Sequence, residues 1–264
     1  MTEREDPFRR SEYRRVIAWP ERIRREAPFL RDTFADAPGR TLLDVGCGTG
    51  EHARHFAEEG WRVVGIDLSE KMVEDATDHT GETDAGGSAR FELRDAADAS
   101  GLPEAPFGAA LCVGNGMAFV EGGEALDAFL AGVAGALRPG APFLLQMLNY
   151  ERILEGEVRA LGVNVRPLPE EEGDGDIVFL RVFRERDADS VAFFPITLTL
   201  TPGREPPVEV RSAREGVHHA WRRPQVEAAL QEHGFREIRV LGGMGPMPYK
   251  RLESPDLVVI ARRS

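Results

Sequence analysis

From residue 41 to residue 148, short apolar runs alternate with stretches whose apolar positions recur at helical spacing. The pattern predicts strands over 41–45, 62–67, 90–94, 109–114 and 142–148. Helices are expected over 51–59, 69–77 and 123–137. Strands alternating with amphipathic helices bury both faces of a sheet, so this region reads as doubly wound and mostly parallel. Upstream, residues 8–36 carry two helical pieces divided at Trp19-Pro20, since proline fits the first turn of the second. The rhythm breaks after Tyr150. "DIVFLRVFRER", "SVAFFPITLTL" and "PPVEVRSAREGVHHA" are β-rich and joined by short polar connections, which suits an antiparallel meander. Helix-and-strand patterning returns in "RRPQVEAALQEHG", "FREIRVLGG" and "PDLVVIARR". The expected architecture is α/β: a mostly parallel seven-stranded sheet with an antiparallel β insertion after the fifth strand. Residues 1–40 form covering helices, 41–150 a ligand-binding core, 151–220 the insertion (a lid or dimer surface), and 221–264 the last part of the core sheet.

Composition narrows the partners. The chain has 264 residues, 42% of them apolar, enough for one sizeable core. Its formal net charge of −12 repels phosphate backbones and anionic lipid, so neither nucleic acid nor a membrane is expected as a partner. Cys47 and Cys112 are far apart and form no CxxC, so both read as small buried hydrophobes in a reducing compartment. No apolar leader and no run of membrane-spanning length is present, and a cytoplasmic location is expected. The acidic stretches over 80–88 and 169–176 read as solvated loops.

The chemistry begins at "TLLDVGCGTGEHARHFAEEGWRVVGIDLS", a strand, glycine turn, helix and second strand ending in an acid. The turn contains Gly46, Gly48 and Gly50, with Glu51 where the dinucleotide fingerprint needs its last glycine, so the NAD spacing fails. No Gly-Lys-Ser/Thr follows, so the P-loop pattern fails too. Asp44 would repel a pyrophosphate but accepts from an ammonium. A ligand with an amino-acid end and an adenosine end meets both demands, and S-adenosylmethionine is one. Asp67 ends the next strand about 20 residues on, where an acid accepts ribose hydroxyls. Asp95 and Ala96, after the third strand, are candidates for the adenine amino group. Leu68 and Met72 follow Asp67 at positions suited either to the adenine faces or to helix packing.

These residues carry a resemblance. Residues 41–150 resemble class I S-adenosylmethionine-dependent methyltransferases through "LLDVGCGTG", "VVGIDLSEKM", "RDAADAS" and "AALCVGNGMAFV". The resemblance implies a Rossmann-like sheet, S-adenosylmethionine as methyl donor and S-adenosylhomocysteine as product. Gly108 stands where many members have an aspartate, a peripheral difference. "CVGNGMAFV", "QMLNYERIL" and the β-rich insertion are similar to the glycine N-methyltransferase-like small-molecule enzymes. In that group an arginine spaced like Arg22 binds the cofactor carboxylate, and an arginine before Asn-Tyr grips the substrate carboxylate. Here that second position is Leu148, which puts glycine and related zwitterions in doubt. Arg181 and Arg184 are alternatives in the insertion, competing with a solvent-facing reading. The Asn/Asp-Pro-Pro-aromatic run of base-amine methyltransferases is replaced by Gly114-Asn115-Gly116-Met117.

Methyl transfer from a sulfonium is an in-line displacement, so the protein mainly supplies alignment and desolvation. No metal is expected, and His52 and His55 read as helix surface. Asn115, at the C-terminal end of the fourth strand, is the best candidate to face the transferred methyl. His218 and His219 are candidate bases, of which at most one faces inward because adjacent strand residues point to opposite faces. Tyr13, Asn149, Tyr150, Arg181, Trp221 and Tyr249 are candidate wall residues. The expected activity is methylation of a small-molecule acceptor at nitrogen or oxygen, with a possible homo-oligomer. A protein-directed methyltransferase and a non-catalytic S-adenosylmethionine-binding protein are the competing readings.

Overall fold

A computed structural model describes residues 13–78 and 81–264. The chain enters through a short helix, α1 (Tyr13–Val16), and a longer one, α2 (Trp19–Phe34), with Pro20 in the first turn as proline's fixed φ allows. Alternation then runs β1 (Thr41–Val45), α3 (Glu51–Glu58), β2 (Arg62–Asp67), α4 (Glu70–Thr77), β3 (Gly81–Glu82) and β4 (Ser88–Leu93). It continues through β5 (Ala109–Cys112), α5 (Gly123–Gly135) and β6 (Pro142–Leu148). A helix that the sequence reading does not assign, α6 (Tyr150–Glu155), follows directly; Asn149 caps it by accepting from the Arg152 N–H at 3.3 Å.

The insertion comprises β7 (Asn164–Pro167), β8 (Asp176–Asp187), β9 (Ser190–Leu200), β10 (Val208–Ala213) and β11 (Gly216–His219). The chain closes with α7 (Arg223–Glu232), β12 (Phe235–Leu241) and β13 (Asp256–Arg263). The main sheet has the order β12-β13-β6-β5-β1-β2-β4-β3. The strands β4, β2, β1, β5 and β6 are parallel, and β13 joins β6 antiparallel. Seven strands are as expected, and the two-residue β3 adds a short edge to β4.

Two apolar layers sandwich the sheet. One buries Leu30 and Phe34 of α2, and Ala53 and Phe56 of α3, against Leu42, Val63 and Leu111. The other buries Phe129 and Val133 of α5 and Leu230 of α7 against Leu43, Ala110, Phe143 and Leu145. This central part of the sheet reads as continuous apolar runs because both faces are covered.

The insertion forms a second, antiparallel sheet in which β9 pairs with β8 on one edge and with both β10 and β11 on the other. Its pairing register sets its faces. Phe183 lies opposite Phe193, Arg181 opposite Pro195, Phe179 opposite Thr197 and His218 opposite Val191, so these share one face. Phe183 and Val191 are fully buried and continue the main apolar layer, next to Met117, Tyr150 and Trp221. Each such buried side chain is worth about 1.5–3 kcal/mol, which holds the insertion over the C-terminal edge of the parallel strands. Farther out, Val16 of α1 packs on Ile177 and Phe179. No helix among the described residues is long and apolar enough to cross a membrane.

Candidate active site

The glycine turn is held by β2. The N–H groups of Gly46 and Cys47 both donate to the Ile66 carbonyl, at 2.8 and 3.0 Å, and the Gly50 N–H donates to the Cys47 carbonyl at 3.0 Å. Gly48 has φ +54, and a Cβ there would meet nothing within 4 Å, so the chain is open to a ligand at that point. Gly50 has φ +80, and a Cβ there would stand 2.5 Å from the Phe91 ring. The first glycine borders the next segment: a Cβ on Gly46 would lie 3.8 Å from Gly116 Cα. The glycine turn and the 114–117 segment therefore adjoin at the C-terminal edge, where open parallel sheets bind ligands.

Asp67 reaches both sides of this turn. Its Oδ2 accepts from the Gly48 N–H and its Oδ1 from the Ser69 N–H, each at 2.9 Å. Ser69 in turn caps α4 by accepting from the Met72 N–H at 3.2 Å. Leu68, just after Asp67, is 69% exposed, and Leu93, paired with Asp67 across the strands, is 52% exposed. Two large apolar side chains left in water at one strand edge form an apolar surface that sequence reasoning found only in Leu68. Met72, by contrast, is only 2% exposed and is covered by protein without any ligand. That burial accords with helix packing, one of the two alternatives the sequence offers for Met72. Asp95 is exposed and its Oδ1 accepts from the Ala97 N–H at 2.9 Å, which caps the 3-10 turn Ala96–Gly101; Ala96 is buried.

Asp44 is the electrostatic anomaly of the molecule. It is 1% exposed, and its Oδ2 has no hydrogen-bond partner among the described residues. Burial first, then the negative charges of Asp67 and Glu51, push its carboxyl up to about 8. Arg22 is near enough to oppose that rise. Its Nε donates to Glu26 at 3.0 Å, and its guanidinium stacks 5.0 Å from the Trp19 ring centroid. Glu26 is buried and lies 2.9 Å from His52 Nε2. His52 is therefore not on a helix surface as expected: it faces α2 and ties α2 to α3 through Glu26. His55, on α3, pairs with Glu59 at 2.9 Å.

On the other side of the glycine turn, the segment after β5 takes two left-handed residues, Gly114 at φ 82 and Asn115 at φ 75. The Gly114 N–H donates to Gln146 Oε1 at 2.7 Å, and Asn115 Oδ1 accepts from the Leu148 N–H at 2.9 Å. Both bonds clamp this turn to β6 and hold Asn115 in a conformation rare for a residue with a Cβ. Asn115 Nδ2 donates to the Tyr150 hydroxyl at 2.8 Å, and that hydroxyl lies 2.9 Å from His218 Nδ1.

His218 is 2% exposed. Its ring stacks on Phe193 at 4.4 Å and meets Phe119 edge-on at 4.9 Å. Burial alone lowers its pKa to about 3, so the imidazole is neutral at ordinary pH. Its Nε2 is buried and has no hydrogen-bond partner among the described residues. Phe119, Gln146 and Phe193 belong to this cluster and were not anticipated. Phe119 lay in a quoted motif, but only the fold brings Phe193 to it.

Other candidates are not brought together here. His219 is half-buried and its ring lies 4.0 Å from that of Trp221, apart from the Asn115 cluster. Trp221 is buried in the apolar layer and its indole N–H donates to the Val120 carbonyl at 3.0 Å, so no polar handle remains. Asn149 is also corrected. Its amide donates to the carbonyls of Arg251 and Ser254, while its oxygen serves the α6 cap and lies 3.0 Å from the Tyr249 hydroxyl. These bonds make it a structural clamp. Arg181 lies on the same face as His218, half-buried, with its guanidinium 6.0 Å from the Phe179 ring, whereas Arg184 is exposed on the opposite face. The Tyr13 side chain lies outside the described residues.

Residues 42–140 match the family model described as "Methyltransferase domain". The chain is 25% identical over 233 residues to a glycine/sarcosine N-methyltransferase of Aphanothece halophytica, covering 86% of this chain and 78% of that protein. It is 35% identical over 118 residues to a ubiquinone biosynthesis O-methyltransferase of Thiobacillus denitrificans, covering 45% and 48%. Among solved structures it is similar to S-adenosylmethionine-bound CalS10, an amino pentose methyltransferase from Micromonospora echinaspora. The TM-score is 0.67 at 20% identity, over 94% of this chain and 92% of that one.

Proposed function

We propose, from the premise that this chain is a class I S-adenosylmethionine-dependent methyltransferase, that it methylates a small molecule at nitrogen or oxygen. The observation that carries the reading is the abutment, at one sheet edge, of the glycine turn with the buried Asn115–Tyr150–His218 cluster. The cofactor fits the residues present: Gly48 leaves open space and Asp44 holds an unpartnered buried carboxylate oxygen. Asp44 and Arg22 would hold the amino-acid end, the turn from Gly46 to Gly50 the backbone approach, and Asp67 the ribose. Leu68 would line the adenine, with Asp95 and Ala96 at its amino edge and the Met72 side chain beneath. Gly114 and Asn115 border the reacting end. When bound, S-adenosylmethionine supplies a methyl already activated on a sulfonium.

What the chain itself contributes is orientation and dryness. Phe119, Phe183, Phe193 and the ring of Tyr150 exclude water around His218, and the Asn115 amide orients the Tyr150 hydroxyl. The N-methyltransferase and O-methyltransferase relatives support both acceptor atoms, and the amino pentose enzyme supports an acceptor larger than glycine. Leu148 agrees: a glycine-sized zwitterion lacks a guanidinium there.

Calorimetry with S-adenosylmethionine should show binding, and none at millimolar ligand would end the reading. S-adenosylhomocysteine release over a panel of amines, phenols and carboxylates then tests turnover. Release only in the presence of a protein substrate would replace the small-molecule acceptor with a protein one.

A further inference from the structure

The neighbours of His218 decide which of its nitrogens carries the proton. The Leu148 N–H can only donate, and it lies 2.9 Å from one end of the Asn115 amide, so that end is oxygen and the other is nitrogen. That nitrogen donates to the Tyr150 oxygen at 2.8 Å and faces His218 Nδ1 at 3.5 Å. The Tyr150 proton then has two possible acceptors. Asn115 Oδ1 is 3.2 Å away and already serves Leu148; His218 Nδ1 is 2.9 Å away. The shorter contact takes it, and the only other polar group in hydrogen-bond reach of Nδ1 among the described residues is the donor Asn115 Nδ2, so Nδ1 is an acceptor. A neutral imidazole has one N–H, and its proton therefore sits on Nε2. Burial keeps the ring neutral. The Nε2–H is thus a buried donor with no acceptor among the described residues.

We propose that His218 is a positioning residue that donates its Nε2–H to the methyl acceptor, and that it is not the base that deprotonates it. A buried donor of this kind selects acceptors carrying a hydroxyl, carbonyl or carboxylate oxygen beside the atom to be methylated, and rejects analogues lacking that oxygen. The proton that an N–H or O–H acceptor loses goes to water. This inference rests on the reading that the acceptor enters at this edge.

The deciding experiment is long-range proton–nitrogen correlation NMR on the full-length, nitrogen-15-labelled protein, with His218→Gln used to assign the signals. The expected result is a neutral, Nε2-protonated ring that does not titrate between about pH 5 and pH 8. An Nδ1-protonated ring, or conversion to imidazolium in that interval, overturns the proposal. Because this readout needs no acceptor, it is independent of whether the proposed activity is found. With any acceptor that turns over, His218→Phe should raise KM about tenfold, His218→Gln should recover part of it, and the pH profile of kcat should keep its shape. Loss of a limb of that profile in His218→Gln would mark a base and refute the assignment.

Discussion

The two halves of the site differ in how they are built and in what each leaves unsatisfied. The glycine-turn half is centred on one stretch, Asp44 to Ser69, with Arg22 and Asp95 beside it, and it holds a buried carboxyl raised by burial and by Asp67. The other half gathers residues from the turn after β5, the start of α6 and β11, and it is neutral, aromatic and hydrogen-bonded apart from His218 Nε2, which has no partner among the described residues. One half holds a buried carboxyl whose Oδ2 has no partner among the described residues; the other holds a buried imidazole nitrogen that likewise has none. A cofactor shared by many enzymes can be read by a short stretch of chain. The Asn115–Tyr150–His218 cluster is framed by elements brought together from three regions.

The strongest way to break this contrast is Asp44→Asn. If the carboxylate receives the cofactor ammonium, cofactor affinity should fall by about 3–5 kcal/mol, the range for removing one partner of a buried pair. Calorimetry checks it, and an unchanged affinity would dissolve the electrostatic half of the comparison. The same substitution should stabilise the ligand-free protein. Burial holds the Asp44 carboxyl up at about 8 in the folded state against 3.8 for a free aspartate, so the native state retains a proton that the unfolded chain gives up. Its contribution to stability is complete below the lower value and is lost as pH rises through the upper one. The Tm gain of Asp44→Asn should therefore be larger at about pH 9 than at about pH 5, at roughly 2–4 °C per kcal/mol.

Next in size, Asp67→Ala should weaken cofactor binding by about 1.5–3 kcal/mol, since it removes hydrogen bonds to a charged group. It also frees the N–H groups of Gly48 and Ser69, so a loss confined to stability, with affinity intact, would deny Asp67 the ribose. Tyr150→Phe sharpens the other half. It leaves Asn115 Nδ2 and His218 Nδ1 without their shared hydroxyl and should cost about 1–3 kcal/mol in denaturant unfolding, with cofactor affinity unchanged. The smallest effect is expected of His219→Ala. Its ring lies on Trp221 and outside the cluster, so turnover should stay within about twofold of the parent, and a large drop in kcat would return His219 to the chemistry.

Most core elements were legible because their signals are local. Strands buried on both faces leave continuous apolar runs, and β1, β2 and β6 carry them within their observed bounds. The α6 helix was not legible: it is short, and what defines it is an Asn149 cap also engaged by backbone from residues 251–254. His52 was misjudged for a similar reason. Its burial depends on Glu26, a residue of another helix.

The sequence by itself determined the order of strands and helices, the glycine turn and the acids that flank it, because these depend on backbone sterics and on spacing along one stretch of chain. It also named Asn115, Tyr150 and His218 as separate candidates. Only the tertiary structure decided that the three touch, that His219 and Asn149 belong elsewhere, and that Asp44 is deprived of solvent. Burial, hydrogen-bond direction and the pKa values that follow from them are properties of surroundings supplied by distant segments, and no local pattern encodes them.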